Sequence, residues 1–375
     1  MNIHSENTVN KEYKRILYFS CVAWGWIKQR PQFIAEGLAK NYLVDYCYVS
    51  GLKRFDSVMN KFNSGNLKIK RIFKPPLLYY FSQLNIVLLT LQLKVKMRKY
   101  DILWINGRCE LFEKFFNELS KKPRIIYDCL DDMLEFPVPK NNLKVKEKIA
   151  AGEKNITKNA ELIFCSSEYL INKIKRRHNI NKNVSLVNNA INISSYKKEP
   201  IPKSVSINKS FVITYIGTIS EWFDFESLML TLEKYSDIEY HLYGVKDTKI
   251  PVHKNIKYKG TLEHSEIFNI MAFSDALIMP FKLNELIRSV DPVKIYEYIY
   301  SGRPVIAILY EGTKKFKPYA YLYKDQNELD EFINDLRHKR LKIKLSEQDR
   351  IKFGEENCWE KRLDIINNKI KLLSF

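Results

Sequence analysis

A lysine and a glutamate three residues apart are the pair of side chains in this sequence whose spacing most directly suggests chemistry. They are Lys294 and Glu297, in the stretch DPVKIYEYIYSGRPV. Asp291 and Pro292 predict the start of a helix, with an oxygen-bearing cap and a proline at the first helical position, and Gly302 predicts its end. On that helix the pair shares one face. Two interpretations fit this pattern. The pair can be an exposed ion pair that contributes little to stability, or it can present a cation and a carboxylate to a ligand.

Three aspartates form a second cluster, directly after the strand-like run RIIYDCL. They are Asp128, Asp131 and Asp132. Repulsion between neighbouring carboxylates raises the pKa of one of them, as a general base often requires. The alternative is capping of the helix that follows, which we expect of at least one of the three.

Spacings typical of several other chemistries are missing from the sequence. The six histidines show no HxxxH or HxH pattern and the six cysteines show no CxxC, so we expect no metal site and reduced, buried thiols. The absence of GxSxG, Walker and GxGxxG motifs argues against hydrolases, P-loop proteins and dinucleotide-binding proteins in their usual forms.

Alternating strand-like and helix-like segments must position these residues. Short apolar runs such as RILYFSCV, DILWING and ELIFCS alternate with longer amphipathic segments, and the alternation restarts at FVITYIG after the Lys-, Pro- and Ser-rich stretch KKEPIPKSVSINKS. This pattern predicts an α/β fold with two doubly wound, Rossmann-like domains that face a cleft. We expect a disordered tail, a first domain, a linker, a second domain and a C-terminal helix that crosses back to the first domain, over residues 1–13, 14–198, 199–210, 211–354 and 355–375.

The charge of the chain predicts an anionic partner. Lys and Arg number 62 against 43 Asp and Glu, a formal net charge of +19, which suits nucleic acid, a phosphorylated substrate or an acidic membrane surface. The aromatic residues lie mostly in apolar runs and no nucleic-acid motif occurs, so nucleic acid is disfavoured. No signal peptide and no run of eighteen apolar residues is found. Residues 74–99 fit either an interfacial membrane element or a core helix with a basic C-terminus.

One long block of the sequence resembles a known family. PFKLNELIRSVDPVKIYEYIYSGRPVIA is similar to the donor-binding block of GT-B-fold glycosyltransferases, especially the family-four type that builds bacterial surface (capsular and exo-) polysaccharides. Six further matches follow the family's order: WIKQRPQFIAEGLAK, IIYDCLDD, ELIFCSSEYL, NAINISSY, YIGTISEWFDFESL and ENCWEKRLDII. The resemblance covers about residues 15–370.

The resemblance implies that the second domain binds a nucleotide-sugar donor. A diphosphate at the N-terminus of the helix would meet free N–H groups, Lys294 and Arg288, and the Glu297 carboxylate would accept hydrogen bonds from the ribose diol. Lys294 and Arg288 would also stabilise charge on the leaving group. The other expected donor contacts are Asn284, Ser289, Tyr298, Gly217, Thr218, Tyr243, Gly244 and Val245. The sequence departs from the family at Ser289, where a glutamate is usual, and at Thr218 and Phe223, where Arg and Lys are usual.

The resemblance also implies that the first domain holds the acceptor. The similar enzymes carry an acidic residue at the position of Asp131, which makes it the expected base, with Asp128 as the second candidate. The expected acceptor contacts are Trp24, Gly25, Trp26, Gln29 and Arg30. The tryptophans can instead pack the interface between the domains, and Arg30 can instead be a surface charge.

Together these features imply a metal-independent hexosyltransferase without a cofactor, which uses a UDP-sugar in preference to a GDP-sugar. Its acceptor would be a lipid-linked saccharide or an oligosaccharide, and we expect it in the cytoplasm, peripheral on the anionic inner face of the plasma membrane. A nucleotide-sugar epimerase of the same fold and a basic nucleic-acid-binding protein are the alternatives.

Overall fold

The computed structural model describes residues 14–25, 28–50, 65–73, 87–88, 91–92, 99–113, 123–182, 184–193, 210–263 and 266–373. Trp26, the N-terminal tail, most of 74–99 and nearly all of the linker therefore lie outside the described residues. The chain divides into two compact units. Unit 1 is Met1–Phe164, His178–Ser185 and Asn367–Phe375, and unit 2 is Cys165–Arg177 and Leu186–Ile366.

The first sheet has seven strands in the order β3-β2-β1-β4-β5-β6-β7, and the pairs from β3 through β5 are parallel. The strands are β1 Arg15–Ser20, β2 Leu43–Ser50, β3 Leu67–Phe73, β4 Ile102–Asn106, β5 Arg124–Cys129, β6 Leu162–Cys165 and β7 Val184–Leu186. The helices around them in the described residues are α1 Arg30–Leu38, α2 Pro137–Lys140, α3 Leu143–Asn159 and α4 Glu168–His178, with 3₁₀ turns at Cys109–Phe112 and Met133–Glu135.

Continuous apolar runs make these strands because helices cover both faces of a parallel sheet, so successive side chains are all buried. Every residue of β4 is buried, as is every residue of β1 except the first. The ring of Tyr18 stacks between Tyr46 at 5.4 Å and Trp104 at 5.3 Å, centroid to centroid. This aromatic packing fixes the centre of the first sheet.

The second sheet has six parallel strands in the order β10-β9-β8-β11-β12-β13. The strands are β8 Phe211–Ile216, β9 Ile238–Tyr243, β10 Ile256–Tyr258, β11 Ala276–Met279, β12 Val305–Ile308 and β13 Tyr321–Tyr323. The helices that follow β7 in the described residues are α5 Phe225–Lys234, α6 Ile267–Ala272, α7 Glu285–Ser289, α8 Val293–Tyr300, α9 Glu311–Lys314, α10 Gln326–Arg337, α11 Glu347–Glu356 and α12 Trp359–Lys371.

Both sheets reverse their strand order next to their first strand, between β1 and β4 and between β8 and β11. Such a switch point leaves a crevice at the carboxyl ends of the strands, where ligands bind in folds of this type. The prediction of an α/β fold with two parallel, doubly wound sheets is confirmed. Within the described residues, no helix combines the length and the apolar character that crossing a membrane requires.

Candidate active site

Helix α8, which we call the donor helix, carries the lysine–glutamate pair. Lys294 Nζ lies 2.8 Å from Glu297 Oε2, and the two side chains are 31% and 8% exposed. A solvated ion pair would leave both groups in water, whereas here the carboxylate is buried and the ammonium group covers one of its oxygens. The second oxygen adds further acceptor capacity, and the pair is therefore not a fully solvated surface ion pair.

The donor helix begins one residue later than predicted. Its N-cap is Pro292, with extended backbone and no side-chain cap bond, so the predicted Asp291 cap is wrong. The first N–H groups of a helix have no acceptor within it, and with the helix dipole they favour a bound anion. The predicted end is confirmed, because Gly302 follows the C-cap residue Ser301 in the left-handed region, with φ +70°.

Tyr298 ties the donor helix to the end of β8. Its hydroxyl accepts a hydrogen bond from Ile216 N (2.7 Å) and donates one to Ile216 O (3.2 Å). Burial raises the pKa of Tyr298 far above its usual range, so the hydroxyl keeps its proton. Tyr298 was predicted to contact the donor, but both hydrogen bonds of its hydroxyl go to Ile216, on the strand that leads into Gly217.

The segments that follow β8 and β9 lie side by side. Gly217 N donates to Tyr243 O and Ile219 N donates to Val245 O, both at 2.9 Å. Gly244 has φ +130°, and a Cβ there would stand 2.0 Å from the carbonyl oxygen of Gly217. Only glycine fits this contact, which keeps the two segments together.

Thr218 is exposed at the tip of the segment after β8, and its carbonyl oxygen accepts a hydrogen bond from Tyr215 Oη at 2.8 Å. The family's usual arginine at this position would project from the same exposed point. Thr218 offers a hydroxyl there instead of a cation.

Three predicted donor residues lie on or beside α7. Asn284 is its N-cap and accepts from Ile287 N at 2.9 Å. Ser289 is fully buried and donates to Leu286 O at 2.7 Å. The Arg288 guanidinium is 38% exposed, with Nη1 at 3.4 Å from Glu311. Of these three side chains, Arg288 is the charged and accessible one.

Glu285, which belongs to the NELIR stretch, was not singled out as a site residue. Its carboxylate accepts from Lys173 Nζ at 2.7 Å and from Tyr169 Oη at 3.0 Å. The hydrogen bond from Lys173 is the main reason that the pKa of Glu285 lies below its usual value. The glutamate therefore joins α4 to α7 within unit 2.

In unit 1 the structure brings two predicted site residues into direct contact. Arg30 Nη2 lies 2.7 Å from Asp128 Oδ1, and the two side chains are 3% and 0% exposed. Arg30 is thus not a surface charge. Sequence reasoning missed Asn106, whose Nδ2 donates to Asp128 O at 3.1 Å. A polar residue that ends the apolar run DILWIN was the available signal.

The other two aspartates have different surroundings. Asp132 is fully buried and caps the 3₁₀ turn Met133–Glu135, with its Oδ1 3.2 Å from Leu134 N, so the predicted cap is confirmed. Asp131 is partly exposed. Because Asp128 and Asp132 are buried and hydrogen-bonded, Asp131 is the most accessible of the three carboxylates.

The remaining predicted acceptor residues lie between β1 and α1. Trp24 is 8% exposed and packs edge-on against Tyr46, with 4.8 Å between ring centroids, so its ring belongs to the interior of unit 1. Gly25 lies in the turn that follows. Gln29 is the exposed N-cap of α1, and its N–H donates to Gln32 Oε1 at 3.0 Å.

Within the part of the chain that the structure describes, no three His, Cys, Asp or Glu side chains are grouped so that they could hold a metal ion. The predicted independence of metal stays a prediction, to be tested on the protein in solution.

No family model matches the chain. By sequence it is similar to TuaH of Bacillus subtilis (strain 168), to which a glycosyltransferase role in teichuronic acid biosynthesis has been attributed. The two are 26% identical over 250 residues, which cover 61% of this chain and 63% of TuaH. The match thus spans less than two thirds of that relative.

Two solved structures share the fold over nearly the whole chain. Sucrose-phosphate synthase from Thermosynechococcus elongatus has a TM-score of 0.75 at 14% identity, over 96% of this chain and 98% of its own. HepE of Anabaena, in complex with UDP and glucose, has a TM-score of 0.71 at 14% identity, over 96% and 100%. The chain has the GT-B fold, and the likeness to bacterial surface-polysaccharide glycosyltransferases that its motifs predict is confirmed.

Proposed function

We propose that this protein is a glycosyltransferase that moves a sugar from a nucleotide-sugar donor to a lipid-linked saccharide or an oligosaccharide during synthesis of a bacterial surface polysaccharide. The observation that carries the proposal is the buried Glu297 carboxylate paired with Lys294 on the donor helix. The GT-B fold and the likeness to TuaH support it.

In this proposal unit 2 binds the donor, with the diphosphate at the N-terminus of the donor helix. Cleavage of the bond from sugar to phosphate leaves additional negative charge on the nucleoside diphosphate. Lys294, Arg288 and the first N–H groups of the helix would stabilise that charge, and Glu297 would accept hydrogen bonds from the ribose hydroxyls. The nucleobase of the donor would lie along the segment Tyr243, Gly244 and Val245.

The proposed donor is a UDP-sugar, and the support is that HepE was crystallised with UDP and with UDP-glucose. Unit 1 would hold the acceptor, with Asp131 as the base that accepts the proton of the attacking hydroxyl. The buried pair of Arg30 and Asp128 would hold the start of α1 against β5 beside it. The net charge of +19 supports a peripheral place on the anionic inner face of the membrane, where a lipid-linked acceptor would lie.

A thermal-shift panel of UDP, GDP, CDP, dTDP and their sugars tests the donor assignment. A ligand that binds the folded protein stabilises it by about 2.7 kcal/mol at a hundred times its dissociation constant, so UDP and one UDP-sugar should raise the melting temperature most. If no nucleotide changes the melting temperature, the proposed function is wrong. A larger rise in melting temperature with GDP than with UDP would overturn only the choice of uracil as the nucleobase.

The variant Lys294→Ala should lower kcat about 100-fold while KM for the donor changes less, because the charge that Lys294 meets is greatest in the transition state. Steady-state kinetics with the UDP-sugar measure this. Lys254→Ala, at an exposed position of unit 2, is the control for lost charge. Equal kcat in Lys294→Ala and the parent protein would exclude the role.

Enzyme treated with EDTA and then desalted should keep most of its activity. The reason is that backbone N–H groups and basic side chains would stabilise the leaving diphosphate. In other folds a divalent cation provides this stabilisation. Activity that is lost on chelation and returns with Mg²⁺ or Mn²⁺ would contradict this mechanism.

A further inference from the structure

A second charged network lies directly before the donor helix. Asp291 is 1% exposed, and its carboxylate accepts hydrogen bonds from Asn189 N at 2.6 Å, from Lys315 Nζ at 2.7 Å and from Tyr296 Oη at 3.3 Å. We call these four residues the Asp291 network. They come from the segment after β7, from the donor helix and from the end of α9, so the carboxylate joins three parts of unit 2.

Asn189 holds the backbone of Asp291 as well as its side chain. Asn189 Nδ2 donates to Asp291 O at 2.7 Å. The residue before a proline is already restricted to extended conformations, and this second bond fixes the peptide that leads into Pro292. The direction in which the donor helix presents its first N–H groups is therefore set by Asn189 and Asp291.

Lys315, 38% exposed, is the cation in direct contact with the Asp291 carboxylate, and Arg362 also interacts with Tyr296. The Lys315 ammonium group also donates to Tyr296 Oη at 2.7 Å and lies 5.2 Å and 5.0 Å from the ring centroids of Tyr296 and Phe316. Without a ligand, a carboxylate near a helix N-terminus is favourable. A diphosphate at the same helix end would be repelled by that carboxylate unless a cation compensated it.

We propose that Asp291 and Lys315 are positioning residues for the diphosphate of the donor, an inference that rests on the proposed function. Asp291 orients the N-terminus of the donor helix, and Lys315 cancels the charge that Asp291 brings there. Both residues act through the orientation of the donor helix and the electrostatic potential at its N-terminus. The Asp291 carboxylate accepts its hydrogen bonds from members of the Asp291 network.

Calorimetric titration of UDP and of uridine into Lys315→Met, Asp291→Asn and the double variant tests the proposal. Lys315→Met should bind UDP about tenfold more weakly, the effect of one uncompensated charge at about 10 Å in partly screened surroundings. Its affinity for uridine, which carries no phosphate, should stay at the parent value. The loss should shrink as salt is added.

The double variant should regain most of the affinity for UDP, because the asparagine amide keeps an acceptor oxygen for Asn189 and removes the unbalanced charge. Lys314→Met removes an equal charge one residue away, from an exposed side chain, and should bind UDP like the parent protein. Melting temperatures of all variants check that they fold.

Unchanged UDP affinity in Lys315→Met, or an equal loss for UDP and uridine, would overturn the inference and leave the proposed function standing. A parent protein that binds neither UDP nor any other nucleoside diphosphate would overturn the proposed function first, and the inference with it.

Discussion

Glu297→Gln should bind UDP about 10- to 100-fold more weakly than the parent protein, with little change in melting temperature. A carboxylate accepts hydrogen bonds from hydroxyls more strongly than an amide oxygen does, and hydrogen bonds to charged groups contribute about 1.5–3 kcal/mol each. Lys294, at 31% exposed, can turn to water when its partner loses its charge. Titration calorimetry with UDP measures the loss.

A ligand with altered ribose separates this role from a general effect of charge. The parent protein should bind UDP more tightly than 2′,3′-dideoxy-UDP, and Glu297→Gln should lose most of that preference. Glu347→Gln, at a side chain that is 77% exposed, is the matched control and should behave like the parent. If Glu297→Gln keeps the full preference for UDP over 2′,3′-dideoxy-UDP, Glu297 does not bind the ribose hydroxyls.

Asp128→Asn should lower the free energy of unfolding by about 3–5 kcal/mol. The change removes the carboxylate that pairs with the Arg30 guanidinium, which is 3% exposed, and removing one member of a buried ion pair costs about this much. Urea unfolding of the parent and the variant, followed by circular dichroism and by tryptophan fluorescence, measures the difference.

Two further variants identify the cause. Arg30→Met combined with Asp128→Leu should recover most of the lost stability, because replacing both members of a buried ion pair by apolar residues costs far less than replacing one. Lys28→Met breaks the pair with Glu36, whose side chains are about 40% exposed, and should cost only about 0–1 kcal/mol. If Asp128→Asn unfolds at the same urea concentration as the parent, the pair does not stabilise unit 1.

The alternation of apolar and amphipathic segments was enough to predict both sheets, but particular elements escaped it. Strand β3, LKIKRIF, carries three basic residues in seven and pairs on one side only, at the sheet edge, so it lacks the continuous apolar run of the central strands. Strand β13, three residues long, was not predicted either. Both are edge strands.

The residues of the candidate site were easier to predict than their contacts. The spacing of Lys294 and Glu297 on one helix gave their pairing directly, because it is local. Arg30 and Asp128 were each selected, yet their pairing joins residues 98 positions apart and depends on the strand order. The cap assigned to Asp291 was wrong because Asn189 and Lys315, distant in sequence, occupy its carboxylate instead.

The contact that the Tyr298 hydroxyl makes with β8 bears on which lengths of nucleotide unit 2 can bind. It binds the donor helix to the end of β8, and the contact of Gly217 with Tyr243 binds that end to β9. Hydrogen bonds thus connect the places proposed for the phosphate and for the nucleobase within unit 2, and their separation would select ligands by length. A nucleoside monophosphate lacks the second phosphate and would leave one of these two places empty, so we expect it to bind more weakly than the diphosphate.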